Sequence, residues 1–165
     1  MPKLTQVKET KRGRYALFFD GEFAFSLDED TFAMAGLHTG DELEEWQIHD
    51  LQTKSDTRKA VDKAMDLLAL RDHAAGELYQ KLCRIFDPHS AAAAVAKMQE
   101  LNLLDDAGFA RRRAAELLRK RKSRRAILDD LHAKGIDRGA AAEAVEALFA
   151  QSEEAEEENP ALANA

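Results

Sequence analysis

The apolar positions follow two regimes. Short aromatic-rich runs fill the first fifty residues, and helical spacings of three and four take over from Ser55 onward. Arg14-Tyr15-Ala16-Leu17-Phe18-Phe19 and Glu22-Phe23-Ala24-Phe25-Ser26-Leu27 predict strands, because aromatic side chains fit a pleated, half-buried surface. Asp20-Gly21 between them predicts a two-residue type I′ hairpin, in which both central residues need positive φ. Leu4 to Lys11, with Leu4 and Val7 as its apolar positions, predicts a third strand. Three short strands are marginal alone, so this module must pack on something else. Asp28 predicts the N-cap of a short helix from Glu29 to Ala35 that Gly36 ends. Asp41 with Glu44 predicts another cap, opening a helix through Trp46, Ile48 and Leu51. Trp46, the single tryptophan, is expected to pack between modules.

Six helices are predicted beyond that point. Val61, Ala64, Met65 and Leu68 share one face of residues 56–70, and Leu78 and Leu82 lie one turn apart in 74–84. Asp87-Pro88 predicts a cap followed by Pro at the first helical position, opening a helix with Val95, Met98 and Leu101. Asp105 or Asp106 caps the next helix, with Phe109, Ala110, Ala114, Leu117 and Leu118. Residues 124–134 carry Ile127, Leu128 and Leu131, Gly135 stops them, and Asp137 caps a last helix with Val145 and Leu148. Leu78 and Leu82 correspond to Ile127 and Leu131, and Phe86-Asp87-Pro88 to Ile136-Asp137-Arg138. The offset of about 49 to 50 residues is typical of a helical array. The predicted fold is mainly α: two visible tandem three-helix repeats preceded by a small β-rich N-terminal module. The expected boundaries are 1–52 for the module, 53–103 and 104–151 for the repeats, and 152–165 for a disordered acidic tail with five Glu in six positions.

The net charge of −7 conceals segregation. Residues 1–50 hold 5 basic and 11 acidic side chains, residues 105–134 hold 10 and 5, and residues 135–165 hold 1 and 8. An acidic total therefore leaves an anionic partner open for the third block. One cysteine, Cys83, excludes an internal disulfide and is expected as a small buried residue on a helix. The N-terminus lacks the apolar segment of a signal peptide, and no run approaches roughly 18 apolar residues, so a cytoplasmic protein without a membrane partner is expected.

No catalytic constellation emerges, and no enzyme, cofactor or metal is expected. The five histidines, His38, His49, His73, His89 and His132, show no metal-ligand spacing. There is no Gly-rich phosphate loop. Asp105-Asp106 is expected at a helix start and Asp129-Asp130 on a solvated helix face. The distinctive feature is cationic: Arg111, Arg112, Arg113, Arg119, Lys120, Arg121, Lys122, Arg124 and Arg125 face a single acid, Glu116, within residues 111–125. On a helical wheel Arg112 and Arg119 lie opposite the apolar face, with Arg113 and Lys120 beside them, and the remainder falls at the junction to the next helix. Arg forks suit phosphate or carboxylate, so this ridge is expected to bind a DNA backbone or an acidic protein face. Opposite charge also suggests that the acidic tail folds over it when no partner is bound.

These residues resemble the RecX family. The resemblance rests on Leu68-Ala69-Leu70-Arg71 with Glu77-Leu78-Tyr79-Gln80-Lys81-Leu82, on Leu101-Asn102-Leu103-Leu104-Asp105-Asp106 with Phe109-Ala110, and on Ile127, Leu131 and Lys134-Gly135-Ile136. Asp20-Gly21-Glu22-Phe23-Ala24-Phe25 and Gly40-Asp41-Glu42-Leu43 resemble an N-terminal module found in some members. The resemblance implies helical repeats lying in the groove of a RecA–single-stranded DNA filament, inhibition of its strand exchange and ATP hydrolysis, and no catalysis by the chain itself. A monomer is expected. The chain departs from the family in showing two repeats where most members have three, and in carrying Ser123 near a common Gly. The alternative is a DNA-binding helical protein independent of RecA, one three-helix unit acting like a helix-turn-helix. The ridge offers little for base readout, and no aromatic platform for stacking single-stranded bases is expected.

Overall fold

The computed structural model describes residues 1–158. Three strands, β1 (Leu4–Glu9), β2 (Tyr15–Phe19) and β3 (Glu22–Leu27), form an antiparallel sheet in sequence order. Asp20 at φ 50° and Gly21 at φ 83° make the expected hairpin turn. One face buries Leu4, Leu17, Phe19, Phe25 and Leu27 against Leu43, Leu51 and the half-buried Phe32 and Ile48. Helix α1 (Glu29–Ala35) starts at Asp28, whose carboxylate accepts the Thr31 N–H at 3.1 Å, and ends at Gly36 in the left-handed region.

Helix α2 runs unbroken from Glu45 to Leu70. This corrects the expected boundary at 52/53, which falls inside it. Gln52-Thr53-Lys54-Ser55-Asp56 contains neither Gly nor Pro, so nothing interrupts the backbone hydrogen bonds. Tertiary contact holds it there: buried Ser55 donates to the Ser26 carbonyl, and Arg14 donates to both that carbonyl (3.0 Å) and Ser55 Oγ (3.1 Å). The helix starts at Glu44, whose N–H is accepted by Gln47 Oε1 at 2.8 Å. Asp41 instead accepts the His38 N–H. Trp46 is 66% exposed, its indole N–H donating to Glu44, and does not pack between modules as expected.

The two repeats follow as α2–α3–α4 and α5–α6–α7, with α3 (Ala75–Cys83), α4 (Pro88–Glu100), α5 (Asp106–Arg119), α6 (Arg124–Ala133) and α7 (Arg138–Glu158). Leu78, Leu82, Ile127 and Leu131 are all fully buried at matching places in two separate cores. Asp87 accepts the Ser90 N–H, and Asp137 accepts those of Gly139 and Ala140, as the matched motif predicts. Cys83 is half-buried rather than buried. Helix α7 continues through residues 152–158, where a disordered tail was expected. Glu and Ala are strong helix formers and here extend a helix already nucleated by packing. Residues 159–165 lie outside the described residues.

The repeats meet at a narrow joint. Helix α3 has Ala74 at its N-cap, which offers no side-chain oxygen; Asp106 of α5 supplies one, accepting the Ala75 N–H at 2.8 Å. Asp105 caps its own helix through the Gly108 N–H. Gly76 lies against Gly135, where a Cβ on Gly76 would stand 2.8 Å from the Gly135 Cα. Ala74 is buried in the core of the second repeat. Glu77 accepts from Arg71 at 2.8 Å and lies 3.9 Å from Lys134, and these cations hold its carboxyl below the usual range against the opposing effect of burial.

Candidate anionic-partner interface

Helix α5 exists because Phe109, Ala110, Ala114 and Leu117 repeat on one face and pack onto α6 and α7. That packing turns the opposite face outward. Arg111, Arg112, Arg119, Lys120, Arg121, Lys122, Arg124 and Arg125 are exposed, and Arg113 is half-buried. The α5–α6 turn concentrates the charge. Helix α5 ends with Arg121 N–H donating to the Leu118 carbonyl (2.8 Å) and Lys122 N–H to the Leu117 carbonyl (3.0 Å), with Arg121 at φ 60°. This is a Schellman motif with arginine where glycine is usual. Helices α4 and α6 end the same way on Asn102 at φ 58° and Gly135 at φ 81°. Ser123 stands outside that turn geometry: it is the N-cap of α6, accepting the Ala126 N–H at 3.1 Å.

The nine cations divide into two groups. Arg113 is bound internally, donating to both oxygens of Asp130 at 2.9 and 3.0 Å and to Glu116 at 3.2 Å. Asp130 is therefore no free solvated acid, contrary to expectation. The arginine bonds hold its carboxyl below the usual range, while the same bonds raise the guanidinium further above its own. Arg112 pairs with Asp72 of the first repeat at 3.3 Å, Lys120 with Glu116 at 3.3 Å, and Arg124 with Glu146 at 3.0 Å while lying over the Phe149 ring. Hydrogen bonds from Lys120 and then Arg113 keep Glu116 ionised to lower pH. Arg111, Arg119, Arg121, Lys122 and Arg125 have no carboxylate within 4.0 Å among the described residues. Four of these five sit at or beside the turn. The set of cations without carboxylate partners among the described residues is thus smaller than nine and centred on the α5–α6 junction.

Two features escaped the sequence reading. Arg112 opens into a cleft of about 390 Å³ at the joint, shared with Arg71, Asp72, Arg113 and Lys134. On the sheet's outer face Phe18 and the 60%-exposed Phe23 form an aromatic pair, 5.7 Å between centroids, where no aromatic platform was expected. Alternation along β2 puts Phe18 on that face, but alternation along β3 would put Phe23 in the core with Phe25 and Leu27; the register shift between Leu17 and Phe18 turns it outward. A larger groove of about 710 Å³ lies between α2 and α4, away from the ridge, over Val61, Met65, Ala93 and Leu101. No helix among the described residues is long and apolar enough to cross a membrane.

No family model matches the chain. Individual proteins do. Regulatory protein RecX of Caldanaerobacter subterraneus subsp. tengcongensis is 27% identical over 151 residues, covering 91% of this chain and 77% of that protein. The regulatory protein RecX of Lactobacillus johnsonii is 34% identical over 82% of this chain, and that of Bacillus velezensis 30% identical over 83%. The chain spans only 51% and 54% of those two proteins. A crystal structure of regulatory protein RecX superposes with a TM-score of 0.66 at 24% identity, covering 90% of this chain and 74% of the other, and so shares the fold. Sequence relatives and fold agree with the motifs in α2 to α6, and the chain belongs to the RecX family.

Proposed function

We propose that this chain is a regulator, and specifically an inhibitor, of the RecA recombinase. In this reading it binds the RecA–single-stranded DNA filament through its helical repeats and lowers filament ATP hydrolysis and strand exchange. The observation that carries it is the group of five exposed cations without carboxylate partners among the described residues, Arg111 on α5 and Arg119, Arg121, Lys122 and Arg125 at or beside the α5–α6 turn. Such a group presents several donors to a polyanion at once, and arginine forks match phosphate and carboxylate alike. Arg112, Lys120 and Arg124 exchange exposed intramolecular pairs for phosphate, whereas Arg113 stays in place. A ligand that prefers one filament state shifts the filament toward it by its differential affinity. The chain acts in the cytoplasm as a monomer, by binding alone, without cofactor or chemistry of its own.

RecA ATPase on single-stranded DNA, with and without the chain, tests this directly. The rate is expected to fall on addition, and the triple variant Arg119→Glu, Arg121→Glu, Arg125→Glu is expected to lose the effect while keeping its helical circular dichroism. Bare single-stranded DNA should bind more weakly at the same salt, with a log–log salt slope of about −3.5 when the five unpaired cations meet phosphates and a steeper one as Arg112, Lys120 and Arg124 join them. Tight sequence-selective duplex binding without any change in RecA turnover would instead support a recombinase-independent DNA-binding protein.

A further inference from the structure

We infer that the outer face of the N-terminal sheet is a second binding surface, for single-stranded DNA, on which Phe18 and Phe23 stack bases. Strand register places its members. Gln6 pairs with Phe18 and Phe18 with Phe23, while Lys8 pairs with Ala16 and Ala16 with Ser26, so these six residues share one face. The opposite face is the one buried against α1 and α2. An apolar ring on a solvated sheet face costs solubility and contributes nothing to the core, and Phe23 is among the most exposed large apolar side chains of the chain. Phe18 holds it edge-to-face, so the pair offers a preformed aromatic surface.

Charge beside the rings selects the partner. Lys8, Lys11 and Arg12 are exposed, and none has a carboxylate within 4.0 Å among the described residues. They run along β1 and into the β1–β2 turn, on one side of the aromatic pair. The acids Asp20 and Glu22 lie at the opposite hairpin end. A strand crossing the sheet therefore lays its bases on Phe18 and Phe23 and its phosphates toward Lys8 and Lys11, while Arg12 shares a cleft with Asp28, Glu29 and Asp30. Aromatic rings flanked by cations bind single strands with little sequence preference, because every base has a π-face. A duplex keeps its bases stacked internally and gains only the charge. The module as a whole is acidic, with 5 basic and 11 acidic side chains in residues 1–50, but its cations are concentrated in the first fourteen. The choice of DNA over RNA rests on the filament reading above; the surface itself stands without it.

The test uses the full chain and a fluorescein-labelled oligo(dT), with a duplex and an oligo(rU) of equal length as further arms. Phe23→Ala and Phe18→Ala are each expected to weaken oligo(dT) binding about tenfold at unchanged salt slope. Lys8→Ala with Lys11→Ala is expected to flatten the slope, and duplex binding is expected to ignore Phe23→Ala. Phe23→Leu, which keeps an apolar side chain but removes the ring, should bind as weakly as Phe23→Ala. Unchanged oligo(dT) affinity in both alanine variants overturns the surface, and tighter retention of oligo(rU) overturns the DNA assignment. RecA ATPase measured alongside separates the two proposals: loss of oligo(dT) binding in Phe23→Ala with no effect of the parent chain on RecA supports the sheet surface while sinking the filament reading.

Discussion

Arg113 and Asp130 join α5 to α6 side by side, the guanidinium donating to both carboxylate oxygens at 2.9 and 3.0 Å. Both side chains are about three-quarters shielded from water. Arg113→Ala removes the cation that is hydrogen-bonded to both oxygens of the shielded Asp130, leaving only Lys134 and Lys120 acting on it from farther off. It is expected to destabilise the fold by about 1–2 kcal/mol, read as a lowered urea midpoint at unchanged slope. The carboxyl is depressed in the folded state, so its contribution is present above the ordinary aspartate range near pH 4 and is lost as pH falls through the lower folded value. Parent and variant should therefore converge in stability at strongly acidic pH. DNA binding per folded molecule should not change, because this arginine already has its partner.

Arg121 occupies a left-handed backbone position that a side chain adopts at a cost of about 1 kcal/mol. Arg121→Gly is expected to relieve it and raise the melting temperature by about 2–4 °C. The same change removes a cation from the turn and should weaken filament binding. A variant both more stable and equally tight-binding would show that the strained arginine has no functional role.

His73 is buried between Arg71 and Lys81. Its Nε2 faces the Lys81 ammonium, a donor, so Nε2 is the unprotonated nitrogen and Nδ1–H donates to the Arg71 carbonyl at 2.9 Å. Burial, more than the two neighbouring cations, lowers its proton affinity against the opposing pull of that carbonyl and of Glu77. With the folded value below the unfolded one, the unfolded chain binds more protons as pH falls below about 6.5. Stability should fall across that window toward the lower folded value. His73→Gln should flatten the dependence, as urea unfolding between pH 5 and pH 8 would record.

Gly135→Ala places a Cβ 2.7 Å from the Gly76 Cα at a φ of 81°. Strain and collision together should cost at least about 2 kcal/mol. Gly76→Ala tests the contact without the left-handed backbone, since its Cβ meets the same neighbour at 2.8 Å. A thermal midpoint equal to the parent's for Gly76→Ala would show that the repeats do not need this approach.

Much of this architecture was legible because it is local. Asp28, Asp87 and Asp105 carry their caps within three residues, and Asp20-Gly21 encodes its own turn. What the sequence hid is non-local. Asp106 caps a helix 31 residues away, and Asp130 finds Arg113 across two helices. The run 52–56 carries no helix-stop residue, yet the change from aromatic-rich short runs to helical spacing invited a division there. The ridge was visible as composition, but only packing separates Arg113 from Arg119 and reveals Arg121 at positive φ.

The unbroken α2 has a mechanical consequence. Its 26 residues rise roughly 39 Å, packing on the sheet from Ile48 to Ser55 and reaching the joint beyond Leu70. No hinge lies along it, so a tilt at Leu70 travels undiminished to the strands. Ten degrees of rotation there would swing the strands by roughly 4 Å over the ~22 Å from Ser55 to Leu70, close to the ~3.4 Å rise between stacked bases, so the helix is a lever that would turn small rotations between repeats into steps of one nucleotide at the sheet.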